Sequence, residues 1–305
     1  MIIECKNRDE WLKERKRLIV NASDAAAILG WESGAYRGVP RRTAFDVYVS
    51  KKTDYQIEDN DAMLLGRCLE DGISKAYVSK TGRQLINPGD YTIWVHDDYP
   101  WIGATLDRVV DRSVKSKKND QGPLEIKHVG PYKKYEWDKY DVPLWLQIQL
   151  QIQMACCNSS WGAYCAVIGG LEIKYGDLDR NDDFFESSIP IFEEFKWRLE
   201  NNMPPSVESY RHLDAVKRLY PSDNGETINL DNSVQTLVDQ LVEIRSFALD
   251  AQNYASELEA KIKLTMGENT FGRLPDGSIL SLKTVQNKGY TKVVKPYTYR
   301  VLLRK

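Results

Sequence analysis

The chain has 305 residues, 42% hydrophobic and 10% aromatic, which suits one large globular domain or a core domain with an appendage. Its net charge of −2 carries no global signature of nucleic-acid binding. Five cysteines without a CxxC spacing argue against zinc and against an iron–sulfur cluster; a charged start and no long apolar run argue against secretion and a membrane, and for reduced thiols in a cytosol. His96, His128 and His212 are scattered and read as structural residues.

Charge is distributed unevenly. Residues 1–52 carry eleven Lys/Arg against seven Asp/Glu, and Arg15-Lys16-Arg17 follows Trp11 closely. Such a segment suits a local track for phosphates, or simply a soluble surface. Ser23 is placed to cap a short helix, 24–29, that Gly30 stops. Residues 34–38 read as a loop, 41–51 as a helix, and 61–79 as a helix with Leu65, Leu69 and Ile73 on one face. Glu70 lies just off that stripe, within reach of a neighbouring strand, or stands as a surface glutamate.

Residues 91–95 read as a strand, and 102–110 (IGATLDRVV) as another with Asp107 near its end. Residues 113–121 are turn-like, and 123–129 (PLEIKHV) return. Residues two apart on a strand share a face, so Glu125 and Lys127 point together and Asp107 can meet them. Two carboxylates and one ammonium around a gap suit Mg²⁺-assisted phosphodiester hydrolysis. Spacing alone decides little: acid-x-Lys recurs at Glu14-Lys16, Glu172-Lys174, Glu194-Lys196 and Glu259-Lys261. The competing reading of the Asp107 set is a solvated hairpin face with a surface ion pair.

Leu146 to Met154 alternates strictly, as a strand would, but Pro143 and the Leu, Gln, Met and Ala content favour a helix. As a helix it aligns Leu144, Ile148, Ile152 and Ala155, and stacks Gln147 on Gln151. Residues 161–168 and 171–175 read as a strand pair, and 190–200 as a helix. Composition shifts at 201–205, dividing the chain into 1–203 and 204–305. From Val234 to Ile262 the 3–4 spacing is clean, and Gly267 can end that helix. Its seam suits a partner helix, in another subunit or in an intramolecular hairpin. Residues 272–305, with eight Lys/Arg against Asp276 alone, read as a small basic β unit with strands at 279–284 and 299–303.

The ordered set Trp11, Arg15-Lys16-Arg17, Ser23-Asp24, Gly66-x-x-x-Glu70, Asp107, Glu125-Ile126-Lys127 and Gln151-x-x-Met154 resembles the YqaJ-like viral recombinase family. These are relatives of phage lambda exonuclease within the PD-(D/E)xK nuclease superfamily, and the resemblance covers residues 8–200. It implies an α/β, restriction-endonuclease-like core, a mixed central sheet flanked by helices, here with a C-terminal long-helix and small β appendage. It implies a 5′-to-3′ exonuclease on linear double-stranded DNA, using two Mg²⁺ ions for which Mn²⁺ can substitute. It further implies a homo-oligomeric ring, a RecT- or Bet-like single-strand annealing partner, and action in the cytoplasm of a bacterial host. By this likeness Asp107, Glu125 and the Ile126 carbonyl hold metal, Lys127 orients water, and Glu70 and Gln151 complete the site. Ser23, one of Arg15, Lys16 or Arg17, and Thr105 would grip the 5′-phosphate. Two residues depart from the family pattern: Leu106 replaces a proline and Arg108 a glycine. Another nuclease of the superfamily, or a decayed DNA-binding scaffold, are the alternatives.

Overall fold

The structure, a computed structural model, describes residues 1–31, 42–54, 60–112, 120–289, 296 and 299–302. The expected loop at 34–38 and most of the turn at 113–121 lie outside them. The chain forms two compact units, Met1–Pro221 and Ser222–Lys305.

The first unit runs β1 (Ile2–Glu4), α1 (Arg8–Arg17), β2 (Val20–Asn21), α2 (Ala22–Ile28), α3 (Ala44–Lys52), α4 (Asp61–Thr81), β3 (Gln84–Ile86), β4 (Thr92–Val95), β5 (Ile102–Ala104), β6 (Arg108–Asp111) and β7 (Gln121–Val129). A 3₁₀ turn (Pro131–Lys133) leads to α5 (Lys134–Tyr140), α6 (Leu144–Cys157), β8 (Trp161–Ile168), β9 (Glu172–Asp179), α7 (Asp182–Glu200) and α8 (His212–Leu219). A four-stranded sheet has the order β1-β4-β5-β2 and a five-stranded sheet the order β3-β6-β7-β8-β9. Both are mixed: β2 runs parallel to β5 and β7 parallel to β8, while the other pairs are antiparallel. Helices pack against these sheets, so the expected α/β core is present.

The single strand expected at 102–110 is two strands in two sheets. Ile102–Ala104 pairs with β4, the chain leaves the ladder at Thr105-Leu106-Asp107, and Arg108–Asp111 joins β7. Asp107 therefore sits at the corner between sheets, where its carboxyl is free of the pleat's alternation. At the far end of β7, Gly122 is required by a close approach: a Cβ there would lie 2.5 Å from the Trp161 carbonyl.

The alternation at 146–154 has a physical cause that does not involve a strand. Helix α6 is buried on two sides, with Ile148, Ile152 and Ala155 in one apolar cluster and Leu146, Leu150 and Met154 in another. Leu144, expected on the first stripe, is exposed. Asn158, in a left-handed conformation, ends the helix.

Other expectations shift. In α4 only Ile73 of the expected stripe is buried; Leu65 and Leu69 are 48% and 39% exposed. Helix α7 begins at Asp182, with Asn181 as its cap, and Pro190 lies inside it rather than at its start. The proline removes one backbone donor, but Phe185, Ile189, Phe192 and Phe195 bury a continuous stripe across it. The first unit extends past the composition shift at 201–205 because α8 packs back on α3. There His212 stacks on Phe45 at 4.9 Å, with its Nε2 2.9 Å from Thr43 Oγ1.

In the second unit α9 (Asn232–Met266) is capped by the Asp231 side chain and ends at Gly267. Its 35 residues span about 52 Å at 1.5 Å per residue. It carries no buried residue, and no second helix of its own unit pairs with the Val234–Ile262 seam among the described residues. β10 (Phe271–Arg273) pairs with β11 (Ile279–Ser281). The strand expected at 299–303 is not formed over 299–302, and residue 303 lies outside the described residues. Among the described residues no helix is long and apolar enough to cross a membrane.

Candidate active site

The corner at Asp107 meets the middle of β7. Asp107 Oδ2 accepts the Ile126 N–H at 2.7 Å, which places its carboxyl beside Glu125. Glu125 is 2% exposed and faces away from the Ile126 side chain, which packs beneath α4 with Ile73 and Tyr77. Lys127, two residues on and on the same face, puts its Nζ against Glu125 Oε1. The indole ring of Trp145 lies 5.7 Å from that ammonium. The convergence expected of Asp107, Glu125 and Lys127 is therefore present.

Burial and the neighbouring Glu125 charge raise the Asp107 pKa well above the ordinary carboxylate range, with a smaller contribution from Glu70. Lys127 and the Ile126 N–H oppose that rise without cancelling it. Two buried acids this close repel each other in the absence of a counter-ion.

Two glutamines that the sequence reading did not single out complete the surroundings of Glu125. Gln149 Nε2 donates to Oε1 at 2.7 Å and Gln153 Nε2 donates to Oε2 at 2.6 Å. Gln153 also donates to the Thr105 carbonyl at 3.0 Å, joining α6 to the sheet corner. Gln151 faces elsewhere: its Nε2 donates to the Asp179 carbonyl and its Oε1 accepts the Asn181 N–H, at 2.9 and 2.8 Å. The i,i+4 relation that joins Gln147 to Gln151 also joins Gln149 to Gln153, and only the second pair turns toward β7. That relation was the available signal, but both pairs carry it equally.

Glu70 on α4 accepts a 2.5 Å hydrogen bond from Arg108 Nη1, which also donates to the Asp107 carbonyl at 2.5 Å. Arg108 Nη2 pairs with Asp71. The arginine that follows the site's first acid thus draws two neighbouring acids of α4 to it.

Ser23 is not a cap. Asn21 precedes α2 in the cap position without a side-chain capping bond, and the exposed Ser23 hydroxyl accepts from Arg15 Nη2 at 3.0 Å. Of the three basic residues, Arg15 alone meets Ser23. Lys16 pairs with Asp54, and Arg17 pairs with Glu14 and is 71% exposed. Arg15 also stacks over Trp11 at 4.5 Å. Burial lowers its pKa, a fall that the charges of Asp24, Glu125 and Asp107 oppose without cancelling.

Behind Ser23, Asp24 is buried between Arg42 at 2.5 Å and Lys51 at 3.6 Å. Burial opposes its ionisation, but Arg42, Lys51 and the Asn21 amide outweigh that and hold its pKa far below the usual range. Lys51 is brought down to about 8, chiefly by burial. Its Nζ donates to the Arg15 and Leu18 carbonyls at 3.0 and 2.7 Å, fixing the end of α1 that carries Arg15.

The donor set fits a hard divalent cation in two respects. A cation would convert the repulsion between Asp107 and Glu125 into shared attraction. Gln153 Oε1, beside Glu125, is buried with no hydrogen-bond partner, a lone acceptor of the kind a cation or its water satisfies. Among the described residues no three Asp, Glu, His or Cys side chains cluster as an ion cage.

The chain is similar to several known proteins. The family model for the YqaJ-like viral recombinase domain matches residues 10–160. The chain is 25% identical over 297 residues to the uncharacterized protein YqaJ of Bacillus subtilis (strain 168), covering 95% of this chain and 88% of that one. The crystal structure of LHK-Exo in complex with dAMP aligns with 69% of this chain and 99% of its own, at 22% identity and a TM-score of 0.50, a likeness of fold. A second structure of that alkaline exonuclease, from Laribacter hongkongensis, gives the same coverage at 23% identity and a TM-score of 0.49.

Proposed function

We propose that this chain, whose residues 10–160 match the family model for the YqaJ-like viral recombinase domain, is a Mg²⁺-dependent exonuclease that resects linear double-stranded DNA from 5′ to 3′. The observation that carries this reading is the meeting of Asp107, Glu125 and Lys127 at the sheet corner.

In this reading Asp107, Glu125 and the Ile126 carbonyl hold the cations, two Mg²⁺ ions for which Mn²⁺ can stand in. Bound cations lower the pKa of water and give the attacking and leaving oxygens a counter-charge. Lys127 orients the attacking water, and its ammonium is partly exposed at the mouth of the pair. Gln149 and Gln153 fix both Glu125 oxygens, so the carboxylate need not reorganise as charge develops. Arg15 and Ser23 grip a terminal 5′-phosphate, which sets the distance from the strand end to the bond that is cut. Thr105, whose carbonyl is tied to Gln153, would add to the grip on the DNA.

The domain family supports a role in phage-type recombination, with a single-strand annealing protein receiving the exposed strand. A ring of identical subunits in a bacterial cytoplasm would keep DNA enclosed despite a net charge of −2. The test is incubation with linear and with closed-circular duplex, with and without Mg²⁺. The reading expects loss of linear duplex only, and only with the cation. Nicked circles would instead indicate a repair-type endonuclease of the same superfamily, and inertness a DNA-binding scaffold.

A further inference from the structure

We propose that Arg108 is a positioning residue that withholds Glu70 from the cation site and thereby sets that site's affinity for divalent ions. The proposal rests on the functional reading above. Its own basis is the geometry of one guanidinium. Arg108 follows Asp107 directly, its side chain is only 16% exposed, and a single nitrogen, Nη1, lies 2.5 Å from both Glu70 Oε1 and the Asp107 carbonyl. Its second nitrogen is committed to Asp71. The guanidinium is planar and permanently charged, so it holds two carboxylates of one helix in a fixed fork.

Glu70 shares the Arg108 Nη1 with the Asp107 carbonyl, and its charge acts on Asp107. It is nonetheless engaged by an arginine, and no third acid completes a cage with Asp107 and Glu125 among the described residues. A hard cation gains affinity with each carboxylate that reaches it. The oxygen that Arg108 holds, Oε1, can reach it only by leaving the guanidinium, so for that oxygen the ion pair competes with the ion. A ligand binds more weakly when the competent arrangement must first be released from another one. Asp71 is 80% exposed on its side chain and remains available to Arg108 after Glu70 departs, which gives the guanidinium somewhere to stay.

The experiment measures Mn²⁺ binding by electron paramagnetic resonance of the free ion, without DNA, on the full chain. Four proteins are compared: unmutated, Arg108→Gln, Glu70→Gln and the double variant. The proposal predicts that Arg108→Gln tightens Mn²⁺ binding roughly tenfold, in line with a gained charged ligand. It predicts that the gain disappears when Glu70 is also replaced, the double variant binding no tighter than Glu70→Gln. Tightening that persists without Glu70 would assign the effect to loss of a nearby positive charge and overturn the proposal. Weaker binding by Arg108→Gln would overturn it as well, showing that Arg108 supports the site. Absence of Mn²⁺ binding in all four would remove the cation site itself, a failure distinct from an absence of coupling between the two residues.

Discussion

The Asp107 carboxylate accepts the Ile126 N–H at 2.7 Å, so the acid at the corner between two sheets is anchored to the residue after Glu125. This bond ties the first acid's side chain to the strand backbone beside the second acid.

Cation binding should therefore appear as stability. In the apo protein two buried acids repel each other; an ion that binds only the folded form adds stability by mass action. Thermal unfolding followed by circular dichroism should shift upward with Mg²⁺ or Mn²⁺, by about 2.7 kcal/mol at a hundredfold excess over Kd. In Asp107→Asn the shift should largely vanish. An equal shift in both proteins would place the ion elsewhere.

At the 5′ end, Arg15 is the residue that matters. A 5′-phosphorylated duplex should be degraded faster than a 5′-hydroxyl duplex. Arg15→Ala with Ser23→Ala should shrink that preference, whereas Arg17→Ala should leave it, because Arg17 faces solvent with Glu14. Degradation rates on the two substrates, compared across these variants, check the assignment. Equal rates for both ends in the unmutated protein would remove the phosphate role.

Asp24 should be costly to lose. Removing one member of a buried, hydrogen-bonded ion group leaves unpaired charge and costs about 3–5 kcal/mol; here Asp24→Asn would leave Arg42 and Lys51 facing each other. The sign of the pH effect follows from its lowered pKa. Its contribution is fully present above the unfolded value of 3.8 and is lost as pH falls through the lower folded value. Urea unfolding from pH 7 downward should show this acid-side loss, and Asp24→Asn should flatten it.

Much of this site was legible in the sequence, and the illegible parts share a physical cause. Glu125 and Lys127 could be placed on one face because a strand's period is two. Pattern could not reveal that 102–110 breaks at Thr105-Leu106-Asp107, since Ile102, Leu106 and Val110 are apolar and buried on both sides of the corner. In α6, the two cores flanking one helix produced an alternation that imitates a strand, and four glutamines at equal spacing hid which pair faces Glu125. Leu65 and Leu69 keep helical spacing without burial, because periodicity reports a face but not what lies against it. The Ser23–Arg15 contact joins residues eight apart across a helix end and a strand, a relation no local rule encodes.

Gln153 and Gln151 allow that lesson to be tested. Gln153→Ala should lower cleavage by about tenfold or more, since it leaves a buried Glu125 oxygen without its donor. Gln151→Ala should leave the rate near that of the unmutated protein and affect only the corner between β9 and α7. Single-turnover rates at saturating Mg²⁺ separate the two, and a reversed order would reassign the glutamine.

Ending the chain at Pro221 should leave a folded first unit, whereas ending it at Met203 should not be neutral. The shorter form loses His212 and Ala215 from the core beside Phe45, a loss of about 2–5 kcal/mol by analogy with large core deletions. Urea midpoints of the two truncated proteins make the comparison; equal midpoints would show that α8 adds nothing to the fold.

The central claim is that phosphodiester hydrolysis occurs at Asp107, Glu125 and Lys127 with a divalent cation. Its most direct test is release of mononucleotides from a linear, 5′-phosphorylated duplex in Mg²⁺ by the unmutated protein, Asp107→Asn and Lys127→Ala, alongside DNA binding by each. The account predicts a fall in rate on the order of 10² or more in both variants, with duplex binding largely retained. Substantial hydrolysis by Asp107→Asn would contradict it and move the site away from this corner.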